Sequence, residues 1–133
     1  MLALNIILAH LVGDYLIQSQ WMADEKVKRW WPAIVHGVTY TVPYLFVTQS
    51  FWALLIICVT HIVIDRYRLA KRVVWAKNWL FAPKGAKRYS WEECKETGFP
   101  PHVPPFMAVW LMIIVDNTIH LVINTAAILI FGV

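Results

Sequence analysis

The sequence predicts an all-α membrane protein, a bundle of four transmembrane helices with an amphipathic interfacial helix on the cytoplasmic side. Two observations predict this class. First, 59% of the 133 residues are hydrophobic and the mean hydropathy is +0.56, which is more apolar than an ordinary soluble domain. Second, the apolar residues gather into four windows, each approaching the roughly 20 residues that a transmembrane helix needs. A single membrane domain over residues 1–133 is therefore expected.

The four apolar windows follow one another along the chain. We expect transmembrane spans at about residues 2–20, 33–48, 51–65 and 106–131. Only "TQSF" separates the second window from the third, which indicates a tight, uncharged hairpin. The opening segment "MLALNIILAH" lacks a positively charged region and a small-residue cleavage site. We therefore expect it to be a retained span and not a removed signal peptide.

The basic residues fix the predicted orientation. All 12 Lys and Arg lie in two loops, three of them at positions 26–29 and nine at positions 66–95. Because an even number of crossings separates these loops, the positive-inside rule puts both in the cytoplasm and both termini outside, in a bacterial inner membrane. The net charge of +4 is explained by this topology, so membrane lipids and not nucleic acid are the expected partners. The sequence does not decide whether the protein forms a homo-oligomer.

The basic cytoplasmic loop, residues 66–105, begins with a helical pattern. Between Arg66 and Phe81 one helical face is apolar and the opposite face is basic. The apolar face carries Leu69, Val73, Ala76 and Leu80. This pattern is typical of an amphipathic helix that lies on a membrane surface and is favoured by anionic lipid.

Ionisable residues lie inside the apolar windows. Three of the four Asp and four of the five His lie in or at the edge of a predicted span, whereas all four Glu lie outside. An Asp near the centre of a span costs roughly 2.5–3.5 kcal/mol on insertion scales. Such residues usually face the interior of a bundle, where they pair with one another or bind an ion.

The spacing of these residues indicates how they meet. The motifs "HLVGD", "HIVID" and "DNTIH" each place a His and an Asp four residues apart, so that both side chains share one helical face. The three pairs are His10 with Asp14, His61 with Asp65, and Asp116 with His120. His36 adds an imidazole from the second window. Gly13 and Gly37 are small enough to let the helices approach closely there.

Seven side chains form the candidate metal site: His10, Asp14, His36, His61, Asp65, Asp116 and His120. They suit two divalent ions that share a carboxylate, or one ion whose ligands are oriented by further Asp–His contacts. Zinc is the first choice for this donor set, and manganese or iron also suit it. The alternative is a structural network of His–Asp hydrogen bonds that joins the helices. His102 is expected to be an ordinary loop residue.

The same blocks resemble a known family. "HLVGDYLIQSQWMADEK", a His followed by "GVTY", "HIVID" and "DNTIH" resemble small bacterial and phage integral membrane proteins that are grouped only as a domain of unknown function. Asn117 stands where that family has Gln. The sequence is also distantly similar to bacterial inner-membrane proteins described as metal-dependent hydrolases. By analogy, the resemblance implies metal-dependent hydrolysis.

The first functional hypothesis is therefore a membrane-embedded, metal-dependent hydrolase that acts on a phospholipid or another amphiphilic phosphoester at the cytoplasmic face. The metal would activate water and polarise the substrate. An Asp that does not bind metal (Asp14, Asp65 or Asp116) could serve as the general base. The supporting residues fall into two groups: Gln18 and Asn117 to orient water or substrate, and Arg66 and Arg68 to hold a lipid phosphate. The alternatives are a proton or metal-ion transporter and a non-catalytic protein that modifies the cell envelope.

Overall fold

The structure, a computed structural model, describes residues 1–132, and these residues form helices and loops without a β-strand. The helices are α1 (Leu2–Leu11), α2 (Gln20–Glu25), α3 (Trp30–Thr41), α4 (Phe51–Tyr67), α5 (Leu69–Leu80), α6 (Trp91–Cys94) and α7 (Pro105–Phe131). A π-helical segment, Val12–Leu16, continues α1, and a 3-10 segment, Val42–Phe46, continues α3.

The prediction of a four-helix transmembrane bundle is wrong. Within residues 1–132, one helix is long and apolar enough to cross a membrane, and this helix is α7 with its 27 residues. At 1.5 Å per residue α7 is about 40 Å long, which exceeds the roughly 30 Å of a bilayer's hydrocarbon core. The multi-pass inner-membrane location that depended on four spans is not supported.

The other three apolar windows fall short for local reasons. The first window leaves the α-helical path after Leu11 and ends as a π segment at Leu16. In the second window the chain tightens into 3-10 geometry after Thr41, where Pro43 cannot donate a helical hydrogen bond. The third window forms α4, whose 17 residues span about 26 Å. Hydropathy alone does not register these changes in helical path and length.

The chain divides into two compact units. Unit 1 comprises Met1–Tyr67 together with the chain from His120 onward, and unit 2 comprises Arg68–Ile119. Arg68 has a left-handed backbone conformation with φ of 50°, which ends α4 before α5 begins. The core of unit 1 is formed by Ile6, Ala9, Tyr40, Tyr44, Ile57, Ala127 and Ile128.

Unit 2 is built around α5, which starts at Leu69 and not at Arg66. Ala70 and Val74 are its buried residues, whereas the predicted apolar face is largely exposed, with Leu80 at 64%. Gly98 packs directly on this helix with φ of +84°, a conformation that favours glycine. A Cβ at Gly98 would lie 2.8 Å from Val74 Cβ, so the chain that follows α6 returns tightly against α5.

Two glycines allow the close helix contacts that the sequence predicted in unit 1. A Cβ at Gly13 would lie 2.8 Å from the carbonyl oxygen of Tyr40. A Cβ at Gly37 would overlap the side chain of Ile62. The π segment, α3 and α4 can therefore lie unusually near one another, which brings His36 on α3 against His61 on α4.

Replacing Gly37 with alanine is expected to lower the free energy of unfolding by about 1–3 kcal/mol, because overpacking forces side chains and backbone apart. Ile62→Ala removes the atoms that the new methyl group would overlap. The double variant should therefore lose less stability than the sum of the two single changes. Chemical unfolding followed by circular dichroism gives the free energy of unfolding of all three variants. Strictly additive losses of this free energy would contradict the close approach of Gly37 to Ile62.

Candidate metal centre

The first carboxylate of the site lies in the π segment. The Ile17 N–H donates to the Val12 carbonyl at 2.9 Å, five residues back, which is the hydrogen bond of a π-helix. Such single-turn π segments often mark functional sites. Here the segment carries Gly13 against Tyr40 and leaves Asp14 buried, with 7% of its surface exposed.

Four ligand atoms converge inside unit 1. They are Asp14 Oδ1, His36 Nε2, His61 Nε2 and Asp65 Oδ2. His36 Nε2 lies 2.9 Å from His61 Nε2 and 3.3 Å from each of the two carboxylate oxygens. His61 Nε2 lies 3.3 Å from the Asp65 oxygen and 3.8 Å from the Asp14 oxygen. All four side chains are buried, and together they can hold a metal ion.

Two further histidines contact these ligands. His120 Nε2 lies 3.1 Å from Asp65 Oδ1, and His120 Nδ1 lies 3.2 Å from His61 Nδ1. His10 Nδ1 lies 2.8 Å from the Tyr40 hydroxyl oxygen. Its Nε2 lies 4.0 Å from Asp14 Oδ2. His120 and His10 thus contact the carboxylate oxygens that point away from the four-atom cluster.

These contacts fix the tautomers that a metal needs. If His61 Nε2 presents its lone pair to an ion, its Nδ1 carries the proton and donates to His120 Nδ1. The Nε2–H of His120 then donates to Asp65 Oδ1. One assignment therefore satisfies both hydrogen bonds, and it matches the way in which metal-ligating histidines are usually oriented by their second nitrogen.

Burial and the neighbouring charges set the protonation states. Burial lowers the pKa of His61 to about 4, so this imidazole is neutral at pH 7. Burial opposes ionisation of Asp65, but its electrostatic interaction with His61 and the hydrogen bonds from His120 and His36 hold the pKa of Asp65 well below its usual range. Burial also opposes ionisation of Asp14, and the hydrogen bond from His36 still lowers its pKa. Burial lowers the pKa of His36, but its hydrogen bonds with Asp14 and Asp65 outweigh burial and raise that pKa. Neutral imidazole and ionised carboxylate are the forms that bind metal, so a metal ion would displace any proton that these carboxylates hold on His36.

Lys26 is the residue that sequence reasoning missed. Its ammonium nitrogen lies 2.5 Å from Asp65 Oδ2 and 2.6 Å from Gln18 Oε1, and 16% of its side chain is exposed. The charge count grouped Lys26 with the cytoplasmic loop, and only its long side chain brings it to the carboxylate. The spacing from Gln18 could not indicate this contact, because the chain is not helical at residues 17–19.

Four predicted site residues remain. Arg66 donates to the backbone carbonyls of Val27 and Lys28, so it anchors the loop that follows Lys26. Arg68, Asp116 and Asn117 belong to unit 2. Asp116 is one helical turn before His120 in α7, and the roles predicted for these three residues stay predictions.

A second polar cluster adjoins the metal centre. Asn124 Nδ2 donates to the hydroxyl oxygens of Tyr40 and Tyr44, at 2.6 Å and 2.7 Å. The ring of Tyr40 stacks on His61, with 3.5 Å between centroids. Since both tyrosines are fully buried, this cluster supports the His61 and His10 imidazoles from one side.

Over residues 1–132, the fold and the site define an all-helical protein with one helix able to span a membrane and a buried His/Asp cluster that can hold a metal ion. The chain belongs to the family described as "Protein of unknown function (DUF3307)", whose family model matches residues 2–131. The predicted resemblance to a domain of unknown function is confirmed, and the resemblance to hydrolases stays a prediction. No curated protein and no solved structure matches the chain.

Proposed function

We propose that the protein is a metal-dependent hydrolase that acts on a phospholipid or another amphiphilic phosphoester at the cytoplasmic face of a membrane. The observation that carries this proposal is the spacing of the four ligand atoms. Zinc ligands lie about 2.0–2.1 Å from the ion, so the edges of a tetrahedron around it measure about 3.3–3.4 Å. Three of the measured edges are 3.3 Å, and two others are 2.9 Å and 3.8 Å.

A purely structural hydrogen-bond network accounts less well for the same contacts. His36 Nε2 lies within 3.3 Å of three other polar atoms, yet it carries at most one proton. His61 Nε2 lies within 3.3 Å of two polar atoms, His36 Nε2 and Asp65 Oδ2, and also carries at most one proton. A cation among the four atoms would satisfy all of them at once. The donor set favours zinc, and manganese or iron also suit it.

When bound, a divalent ion at this centre would lower the pKa of a water molecule and polarise a phosphoryl oxygen. A catalytic zinc keeps three protein ligands and one open position. Asp14, His36 and His61 are the proposed permanent ligands. Asp65 is the proposed general base, because its oxygens also bond to Lys26 and His120. The hydrogen bond from His120 Nε2–H keeps Asp65 ionised, which is the form that can accept a proton.

The proposed substrate class follows from charge and from the exposed apolar surface. The ammonium group of Lys26, beside Gln18, is the nearest cation for a phosphate oxygen. In α7, only 11% of the most apolar stretch is buried, whereas the core helix of a soluble protein would be mostly buried. This exposure supports lipid as the partner of α7 and an amphiphile as the substrate.

Asp14→Asn tests the proposed activity. The rate of metal-stimulated hydrolysis should fall at least about 100-fold in this variant, because an amide is a poorer metal ligand than a carboxylate. Removing a residue that only orients a ligand already lowers metal affinity or activity 10–100-fold. The assay uses bis(p-nitrophenyl) phosphate and a short-chain phospholipid, with and without added zinc or manganese. Asp24→Asn, on the exposed helix α2, is the matched control. Equal rates for both variants, or no metal-dependent hydrolysis by the parent protein, would exclude this function.

Lys26→Met should increase the affinity for a divalent ion by roughly tenfold, because Lys26 competes for the same Asp65 oxygen. Hydrolysis should fall in the same variant, because Asp65 would stay bound as a fourth ligand. Metal titration and rate measurements separate the two effects. A weaker affinity for the ion would show that Lys26 supports the metal-bound state.

One observation favours a second function, proton transfer. The chain of polar groups continues beyond the metal ligands through Tyr40, Asn124 and Tyr44, and the Tyr44 hydroxyl donates to the Ile6 carbonyl at 3.5 Å. Hydrogen-bonded His and Asp residues are common in proton relays. Proton flux into vesicles that contain the protein, lost in Asn124→Leu, would favour this function over hydrolysis.

A further inference from the structure

We infer a second binding site, in unit 2, which takes the phosphate-bearing end of an anionic lipid. The site is a cavity of about 440 Å³, and this volume lies within the usual range for small-ligand sites. It lies between α5 and the returning chain that passes through Tyr89 and Phe99. The inference is independent of the proposed hydrolase, since all the lining residues belong to unit 2.

The walls of the cavity are mainly aromatic. They include Trp75, Trp79, Phe81, Tyr89 and Phe99. The Trp75 indole N–H donates to the Tyr89 carbonyl at 3.1 Å, and Gly98 packs the far wall against α5. A hydrogen bond and close packing therefore connect the two walls, and the cavity is preformed within unit 2.

The cavity offers several hydrogen-bond donors and two cationic side chains. They come from Lys77, Asn78, Lys87 and His102, and among the described residues no Asp or Glu lines the cavity. Asn78 Nδ2 is buried without a hydrogen-bond partner, which costs free energy unless a ligand supplies an acceptor. Lys87 already pairs with Glu93 at 3.1 Å, whereas Lys77 makes no ion pair within residues 1–132. The complementary ligand therefore carries acceptor oxygens and negative charge.

Aromatic side chains at the cavity add a requirement for apolar surface. Trp79 is 47% exposed, and Phe81, which ends α5, is 80% exposed. A free phosphate ion would leave these surfaces in water. An anionic lipid meets both demands, because its phosphate can bind Asn78 and Lys77 while the first acyl carbons cover the rings. Tryptophan is also the residue type that favours the boundary between lipid headgroups and acyl chains.

Native mass spectrometry of the full-length protein tests this site. The protein is released from a neutral detergent after incubation with phosphatidylglycerol or with phosphatidylcholine. Asn78→Ala and Lys77→Gln should each weaken the binding of phosphatidylglycerol by roughly tenfold, the effect of losing one hydrogen bond to a charged group. Lys84→Gln is the matched control, because Lys84 is an exposed lysine of the same unit that does not line the cavity. Circular dichroism confirms that each variant folds.

Three results would overturn the inference. Unchanged binding of phosphatidylglycerol in both cavity variants would exclude the cavity as the site. Equal binding of phosphatidylcholine would exclude recognition of negative charge. Displacement of phosphatidylglycerol by an equal concentration of inorganic phosphate would show that the cavity binds free phosphate and not lipid. None of these results depends on metal binding in unit 1.

Discussion

His61→Ala should remove stoichiometric metal binding. His61 is fully buried, and its Nε2 makes three of the measured edges of the four-atom cluster. Because the loss of an orienting residue alone reduces metal affinity 10–100-fold, the loss of this ligand should reduce it by more than about 100-fold. Elemental analysis after dialysis and a competitive titration with a zinc-binding dye give the stoichiometry and the affinity.

Two control variants make this result specific. His102→Ala removes an exposed imidazole in unit 2 and should bind metal like the parent protein. His120→Gln removes the partner of Asp65 Oδ1, and its metal affinity should lie between those of His61→Ala and His102→Ala. If His61→Ala folds and still binds metal with the parent stoichiometry and affinity, the assignment of these residues as the metal centre is wrong. If the parent protein binds no divalent ion, a hydrogen-bond network is the better account.

Tyr40→Ala should have the largest effect on stability. Tyr40 is fully buried, stacks on His61, and its hydroxyl contacts His10 and Asn124. Truncating a buried aromatic ring to alanine usually costs about 3–5 kcal/mol, a large share of the 5–15 kcal/mol that stabilises a typical domain. Chemical unfolding of the purified protein, followed by circular dichroism, measures the loss.

Tyr40→Phe separates the ring from the hydroxyl. Removing the hydroxyl alone should cost about 1–3 kcal/mol, because the buried Asn124 amide loses one of its acceptors. Phe46→Ala is the matched control, since Phe46 follows closely on the same chain segment and is 90% exposed. A loss for Phe46→Ala as large as that for Tyr40→Ala would contradict the proposed core.

The sequence predicted side-chain neighbours better than helix lengths. A separation of four residues predicted that His61 and Asp65 share a face, and their atoms lie 3.3 Å apart on α4. Helical periodicity is a local property, so it is visible in a single sequence. The close packing at Gly13 and Gly37 could also be predicted from residue type, because a missing side chain permits close approach wherever the helices meet.

The errors arose where geometry depends on more than residue type. Window hydropathy counted apolar residues and did not register the π segment after Leu11 or the 3-10 turn at Pro43. The count of basic residues assigned Lys26 to a cytoplasmic loop, although its flexible side chain reaches Asp65. Tertiary packing determines where a long side chain reaches and where a helix changes its path, and it overrides local preference.

The π segment Val12–Leu16 constrains how this protein can evolve. Inserting or deleting one residue between His10 and Asp14 would turn Asp14 away from His36, because each residue of a helix rotates the next side chain by about 100°. Changes of residue type on the exposed side of the same segment, such as Leu16, leave the register intact. Among homologues, the number of residues in this interval should therefore vary much less than their identity.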